Sequence, residues 1–186
     1  MPVLHAAPLF VISMKTLSIL VSACLLGENT RYDGGTKEFP ELLQYANINA
    51  IFSPICPELE CGLPVPREPM NLYLEAGETY MKGVQSATDF SPLMQDYLSK
   101  MMDSNRITAI CGLILKARSP SCGIWDTPIY DLKSGEVLHW GSGLFARFLA
   151  QRYPEIPLIS DEDYLVPQKR DEFWAKAKKT MLISGL

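Results

Sequence analysis

Three apolar runs along the chain each lead to a cysteine. Residues 18–23 (SILVSA) run into Cys24, residues 50–55 (AIFSPI) into Cys56, and residues 108–115 (TAICGLIL) open a longer stretch that ends at Cys122. None of the runs alternates apolar with polar, the pattern expected of strands covered on both faces. A fourth run, 156–159, predicts another strand. Between them the apolar spacing turns helical. Leu42, Leu43 and Ala46 predict a short helix over 38–46, with Pro40 suited to its first turn. Phe90, Leu93, Met94, Tyr97, Leu98, Met101 and Met102 predict a helix over 87–102 whose methionines pack in the core. Leu144, Phe145, Phe148 and Leu149 predict one over 144–153, and a terminal helix is expected over 172–182.

The prolines between Cys56 and Met70, at 57, 64, 66 and 69, predict an extended loop and no helix. Residues 71–83 are ambiguous beyond a short strand at 72–74. Strands alternating with helices predict an α/β fold: a single domain with a mostly parallel sheet flanked by helices, a Rossmann-like three-layer arrangement. The domain is expected to span residues 14–186, with Met14 as the working start and residues 1–13 as an extension carrying His5. His139 and Trp140 fall in a turn or short strand.

In a parallel sheet, ligands bind beyond the carboxyl ends of the strands. Cys24, Cys56 and Cys122 each lie just past such an end. With neighbouring strands about 4.8 Å apart, the three can converge within roughly 10 Å. Their separations of 32 and 66 residues exclude a local CxxC clip, so the fold itself must assemble the site. Cys111 sits mid-strand and reads as core, whereas Cys61, in the proline loop, is a spare ligand. Five cysteines without dense periodic spacing do not make a secreted disulfide framework, and reduced thiols fit a cytoplasmic protein. A net charge of −4 argues against a protein that grips polymeric nucleic acid through its phosphates. The apolar N-terminal stretch lacks a positive leader and is too short to span a membrane, so no membrane partner is expected.

The segments VSACLLG…RYDGG, CPE…GLPVPR and SPSCG, in this order and spacing, resemble the domain-of-unknown-function 523 family, whose characterised members are thiouracil desulfidases. The resemblance runs over about 17–159. It implies an oxygen-sensitive 4Fe–4S cluster held by Cys24, Cys56 and Cys122, with one iron free of protein ligands. It also implies Glu58 and a serine of the SPSC segment as catalytic groups. On this reading Glu58 is the general base, and Ser119 or Ser121, with Ser119 preferred, passes a proton. The expected reaction is non-redox: thiouracil or thiouridine monophosphate becomes the oxo base, and hydrosulfide leaves.

Arg31, Lys116 and Arg118 flank this region and could hold a substrate phosphate, or be solvated loop charges. Asn29 and Asp33 could bind base or ribose, or serve as turn residues. Relatives often carry cysteine where this chain has Thr30 and glycine where it has Cys61. The rival readings are a three-cysteine zinc hydrolase, and a cluster-bearing sensor or sulfur carrier without turnover.

Overall fold

The computed structural model describes residues 16–45, 49–102, 104 and 106–184. Residues 1–13, the expected start at Met14 and the end of the first helix at Ala46 lie outside the described residues. In chain order the strands are β1 (Leu17–Ser22), β2 (Ala50–Ile55), β3 (Met70–Glu75), β4 (Glu78–Gly83), β5 (Gly112–Leu115), β6 (Thr127–Asp131), β7 (Val137–Gly141) and β8 (Leu158–Ser160). The helices are α1 (Glu41–Tyr45), α2 (Pro57–Glu60), α3 (Ser91–Met102), α4 (Leu144–Arg152), α5 (Asp161–Tyr164) and α6 (Pro167–Ser184).

The four strands read from the apolar runs form one parallel sheet in the order β2-β1-β5-β8. Its two faces are divided by the period-2 alternation of side chains. Ile19, Val21 and Ile114 point to one side and pack with Phe173 and Trp174 of α6. Leu20, Leu113 and Leu115 point to the other, where Met94 of α3 and Phe145 of α4 complete a second core. The parallel sheet is therefore the middle of three layers, as expected. At Gly112 the sheet and α6 approach closely: a Cβ there would lie 2.9 Å from the ring of Phe173.

A second, mixed sheet, β4-β3-β6-β7, was not legible in the apolar pattern. Its inner residues Leu72, Met81 and Ile129 join the core beneath α3 and α4. The ambiguous stretch 71–83 is its β3–β4 hairpin, closed by Ala76 and Gly77 at φ 49° and 86°. A two-residue turn with both φ positive matches strand twist, but alanine seldom marks one.

Several elements differ from the sequence reading. The stretch after Cys56, expected to contain no helix, makes the single turn α2, with Pro57 at its first position where no N–H is needed. Helix α3 starts at Ser91 rather than 87, because Ala87 takes a left-handed φ of 54°. Leu93 and Met102 of its apolar stripe are exposed, since seven apolar positions span more than one helical face. Strand β5 starts at Gly112 rather than 108, and α6 starts at Pro167 rather than 172. His139 lies on β7, within the reading made for it. Among the described residues no helix is long and apolar enough to cross a membrane.

Candidate functional site

β1, β2 and β5 end at one rim, and each hands the chain to a short turn that carries a thiol. After β1 comes a single 3-10 turn, Ala23–Leu26, closed by Gly27 at φ 89°. After β2, Cys56 is the N-cap residue of α2. After β5, the chain crosses Lys116, Ala117 and Arg118 before reaching Ser119-Pro120-Ser121-Cys122. Ser119 Oγ accepts the Ser121 and Cys122 amides at 3.3 and 3.1 Å, which folds the SPSC segment onto its own side chain. The N-terminus of α4 fixes that segment from behind. Leu144 and Phe145 donate their amides to the Pro120 and Ser121 carbonyls, each at 3.0 Å. Gly143 donates to the Gly123 carbonyl at 2.9 Å, and a Cβ at 143 would lie 2.4 Å from the Ser121 carbonyl carbon.

All three thiols line one cavity of about 320 Å³, together with Thr30, Glu58, Arg67, Ser119 and Ser121. All five cysteines are free. Burial pushes the Cys122 thiol up to about 12 and the Cys24 thiol up to about 11. It raises Cys56 as well. At Cys24 the neighbouring Lys116 and Arg31 pull the other way. Buried, protonated thiols give up their protons in exchange for a metal cation. Soft sulfur donors suit iron–sulfur chemistry and zinc. Among the described residues no three His, Cys, Asp or Glu side chains are gathered tightly enough for one metal ion.

Glu58, 8% exposed, stands in the wall of this cavity on α2. Its Oε1 accepts the Ser121 hydroxyl at 2.7 Å. Its Oε2 takes a fork from Arg67, through Nε at 2.9 Å and through Nη2. Arg67 also donates to the Thr30 and Pro64 carbonyls at 3.1 and 3.2 Å. Sequence reasoning did not single out Arg67, although it closes the GLPVPR segment; no local pattern tells which carboxylate an arginine will meet. Side chains of both partners are nine-tenths buried or more. Removing one partner of such a pair leaves a buried charge uncompensated. Arg67→Met is therefore expected to cost about 3 kcal/mol of unfolding free energy, read by urea denaturation. A loss under about 1 kcal/mol, the scale of exposed pairs, would remove Arg67 from this role.

Glu60, on the same helical turn, accepts the Cys56 amide at 3.4 Å and is held by Arg106 and by the Tyr97 hydroxyl at 2.9 Å. It ties the second thiol loop to α3.

The other expected site residues divide. Arg31, Lys116 and Arg118 line the cavity; Asn29 and Asp33 are exposed and outside its lining. Asp33 is spent on its own turn, accepting the Gly35 amide at 3.0 Å and Arg31 at 3.3 Å. Lys116 is paired with Asp161 at 2.9 Å, and Arg118 is paired with Glu162. Cys61 donates to the Glu58 carbonyl at 3.2 Å, packs against the core and lies outside the cavity lining. Cys111 is core, as expected.

A three-layer α/β protein whose strand-end cysteines share one cavity is the class that these features define. The 2-thiouracil desulfurase family profile matches residues 19–161, and the chain belongs to that family. It is similar to the uncharacterized protein YbbK of Bacillus subtilis (strain 168), with 31% identity over 139 residues, 72% of this chain and 89% of the relative. Among solved structures it resembles the 4Fe-4S-dependent thiouracil desulfidase TudS, with a TM-score of 0.61 and 26% identity over 86% of this chain and 99% of that one.

Proposed function

We propose that this protein removes sulfur from a thiolated pyrimidine, thiouracil or thiouridine monophosphate, at a 4Fe–4S cluster held by Cys24, Cys56 and Cys122. One observation carries the reading: a buried carboxylate and a hydroxyl, Glu58 and Ser121, are bonded to each other in the wall of the cavity that the three thiols share. The cavity lining that holds the three thiols contains no histidine, whereas open three-ligand zinc sites usually include one, which favours an iron–sulfur group over a zinc hydrolase. A carrier or sensor would have no use for the carboxylate and hydroxyl.

When bound, the cluster supplies a soft Lewis acid with one open position, matched to a thiocarbonyl sulfur. The protein's own groups handle water and protons. Arg67 occupies Glu58 Oε2, which leaves Oε1 for proton traffic. Glu58 takes a proton from the water that attacks the ring carbon, and the water oxygen becomes the new carbonyl. Ser121, 2.7 Å from that carboxylate, passes a proton towards the ring nitrogen or the departing sulfur. Ser119 stands one bond further back, 3.0 Å from Ser121 Oγ. Its oxygen already accepts two backbone amides, which supports Ser121 over the Ser119 preferred on sequence. The carbon–sulfur bond breaks with its electrons on sulfur, so hydrosulfide leaves and no external electrons are consumed.

Protein purified without oxygen is expected to be brown, to contain iron and acid-labile sulfide in equal amounts, and to release sulfide from thiouracil or 4-thiouridine monophosphate. Colourless protein holding one zinc per chain would overturn the assignment.

A further inference from the structure

The polar side chains that line the cavity are nearly all committed within the protein. Arg31, Arg67, Lys116 and Arg118 are paired with Asp33, Glu58, Asp161 and Glu162. Ser121 donates to Glu58, Ser119 accepts two amides, and Ser22 Oγ accepts the Lys116 amide at 3.0 Å. Among the described residues of the lining, the side chains of Thr30, Tyr32 and Asn71 have no hydrogen-bond partner. Tyr32 is exposed and Asn71 is half-buried, but Thr30 is only 7% exposed.

An enclosed hydroxyl without a partner is costly unless it meets water or a ligand. Among the described residues, the side-chain nitrogen or oxygen that is both sealed from solvent and unpartnered is Trp174 Nε1, not Thr30 Oγ1. The Thr30 hydroxyl therefore opens onto space, and the space that Thr30 borders is the cavity.

The main chain holds this residue still. The Thr30 amide donates to the Glu28 carbonyl at 2.8 Å. The Thr30 carbonyl accepts Arg67 Nη2 at 3.1 Å and lies 4.0 Å from Cys56 Sγ. The same guanidinium grips Glu58. One arginine thus sets Thr30 and Glu58 against each other, with the second thiol beside them. The χ1 angle of a β-branched side chain is restricted, so the direction of the hydroxyl is largely fixed along with its backbone.

We propose that Thr30 is a substrate-contacting residue: its hydroxyl hydrogen-bonds a polar atom of the pyrimidine ring and so turns the reacting carbon toward Glu58. This rests on the reading of the cavity as a thiopyrimidine site. In sites for small molecules a few placed polar groups fix the ligand's orientation. The flat faces of the ring cannot choose which carbon meets the base, but its polar edge can. A hydroxyl both donates and accepts, so it suits either a ring carbonyl or a ring N–H.

The test is Thr30→Val in protein loaded without oxygen. Valine keeps the shape of the side chain and removes only the hydroxyl. Because that hydroxyl bonds to nothing in the protein, the urea midpoint and the iron and sulfide content are expected to match wild type. The kcat/KM for thiouracil is expected to fall about 2–10-fold, the scale of one net hydrogen bond. The dissociation constant of uracil, which binds without reacting, is expected to rise by a similar factor, read by calorimetry. Thr30→Ser restores the hydroxyl and is expected to recover most of both. Unchanged kcat/KM and uracil affinity in Thr30→Val overturn the proposal. So does a moved midpoint potential of the cluster with uracil affinity unchanged, which would assign the hydroxyl to the cluster. Loss of iron or of folded protein in Thr30→Val overturns it too, since the hydroxyl would then support the structure. Loaded wild type that releases no sulfide from thiouracil refutes the reading of the cavity, and this inference with it; an active wild type indifferent to Thr30→Val refutes this inference alone.

Discussion

Cys122→Ser is expected to yield folded protein that retains almost no iron or acid-labile sulfide after anaerobic reconstitution. Serine is close to cysteine in size, and the SPSC turn is held by Ser119 Oγ and by the amides of α4, none of which the change removes. What it removes is one of three soft donors, and hydroxyl oxygen is a poor substitute for thiolate toward iron. Sulfide release is expected to fall by more than the roughly 10–100-fold that accompanies changes behind the ligands of a metal site. Cys24→Ser and Cys56→Ser should behave alike. Cys111→Ala and Cys61→Ser are the controls, since one thiol is in the core and the other points to the Glu58 carbonyl. Iron content measured beside far-UV circular dichroism decides the matter. A Cys122→Ser protein with its full iron complement would eliminate Cys122 as a ligand.

Glu58→Gln is expected to separate loading from turnover. The replacement keeps the length of the side chain and a carbonyl oxygen for Ser121, but it cannot accept a proton. Loss of a general base lowers turnover by about 10²–10⁴-fold, so kcat for sulfide release should fall within that span while iron and sulfide stay at wild-type levels. Because Arg67 then faces an uncharged amide, urea denaturation at the assay temperature must show the protein folded. Ser121→Ala is expected to follow in severity, and Ser119→Ala should lower kcat least. Undiminished kcat in Glu58→Gln would exclude the carboxylate as base and leave Arg67 and Glu58 as a structural pair.

The residues that sequence could place are those whose environment is set by the chain next to them. The unalternating run before Cys24 and the core of the run that leads to Cys122 mark the buried strands β1 and β5, whereas the run before Cys56, expected to be covered on both faces, forms the edge strand β2, of which only Ile55 is buried; a cysteine past the end of a parallel strand still lies at the rim. Glu58 rests on the family resemblance, supported by its place two residues after Cys56. What stayed hidden depends on distant partners. Asp161 and Glu162 lie more than forty residues from the cations they engage, so on sequence Lys116 and Arg118 read either as holders of a substrate phosphate or as solvated loop charges, and neither pairing is visible. Arg67 meets Glu58 only because the proline loop doubles back over α2. Among the strands of the second sheet, β7 exposes Val137, Leu138, His139 and Trp140 in succession, so the alternation that marks a half-buried strand is missing.

The seat of α4 against the SPSC turn carries an obligation beyond packing. With no space for a methyl group at position 143 and two helix amides spoken for, the third cysteine has no latitude of its own. Its placement is inherited from the helix, and the helix in turn rests on Phe145 and Leu149 in the core. Mutational drift at those apolar positions is thus answerable to the cofactor as well as to the fold.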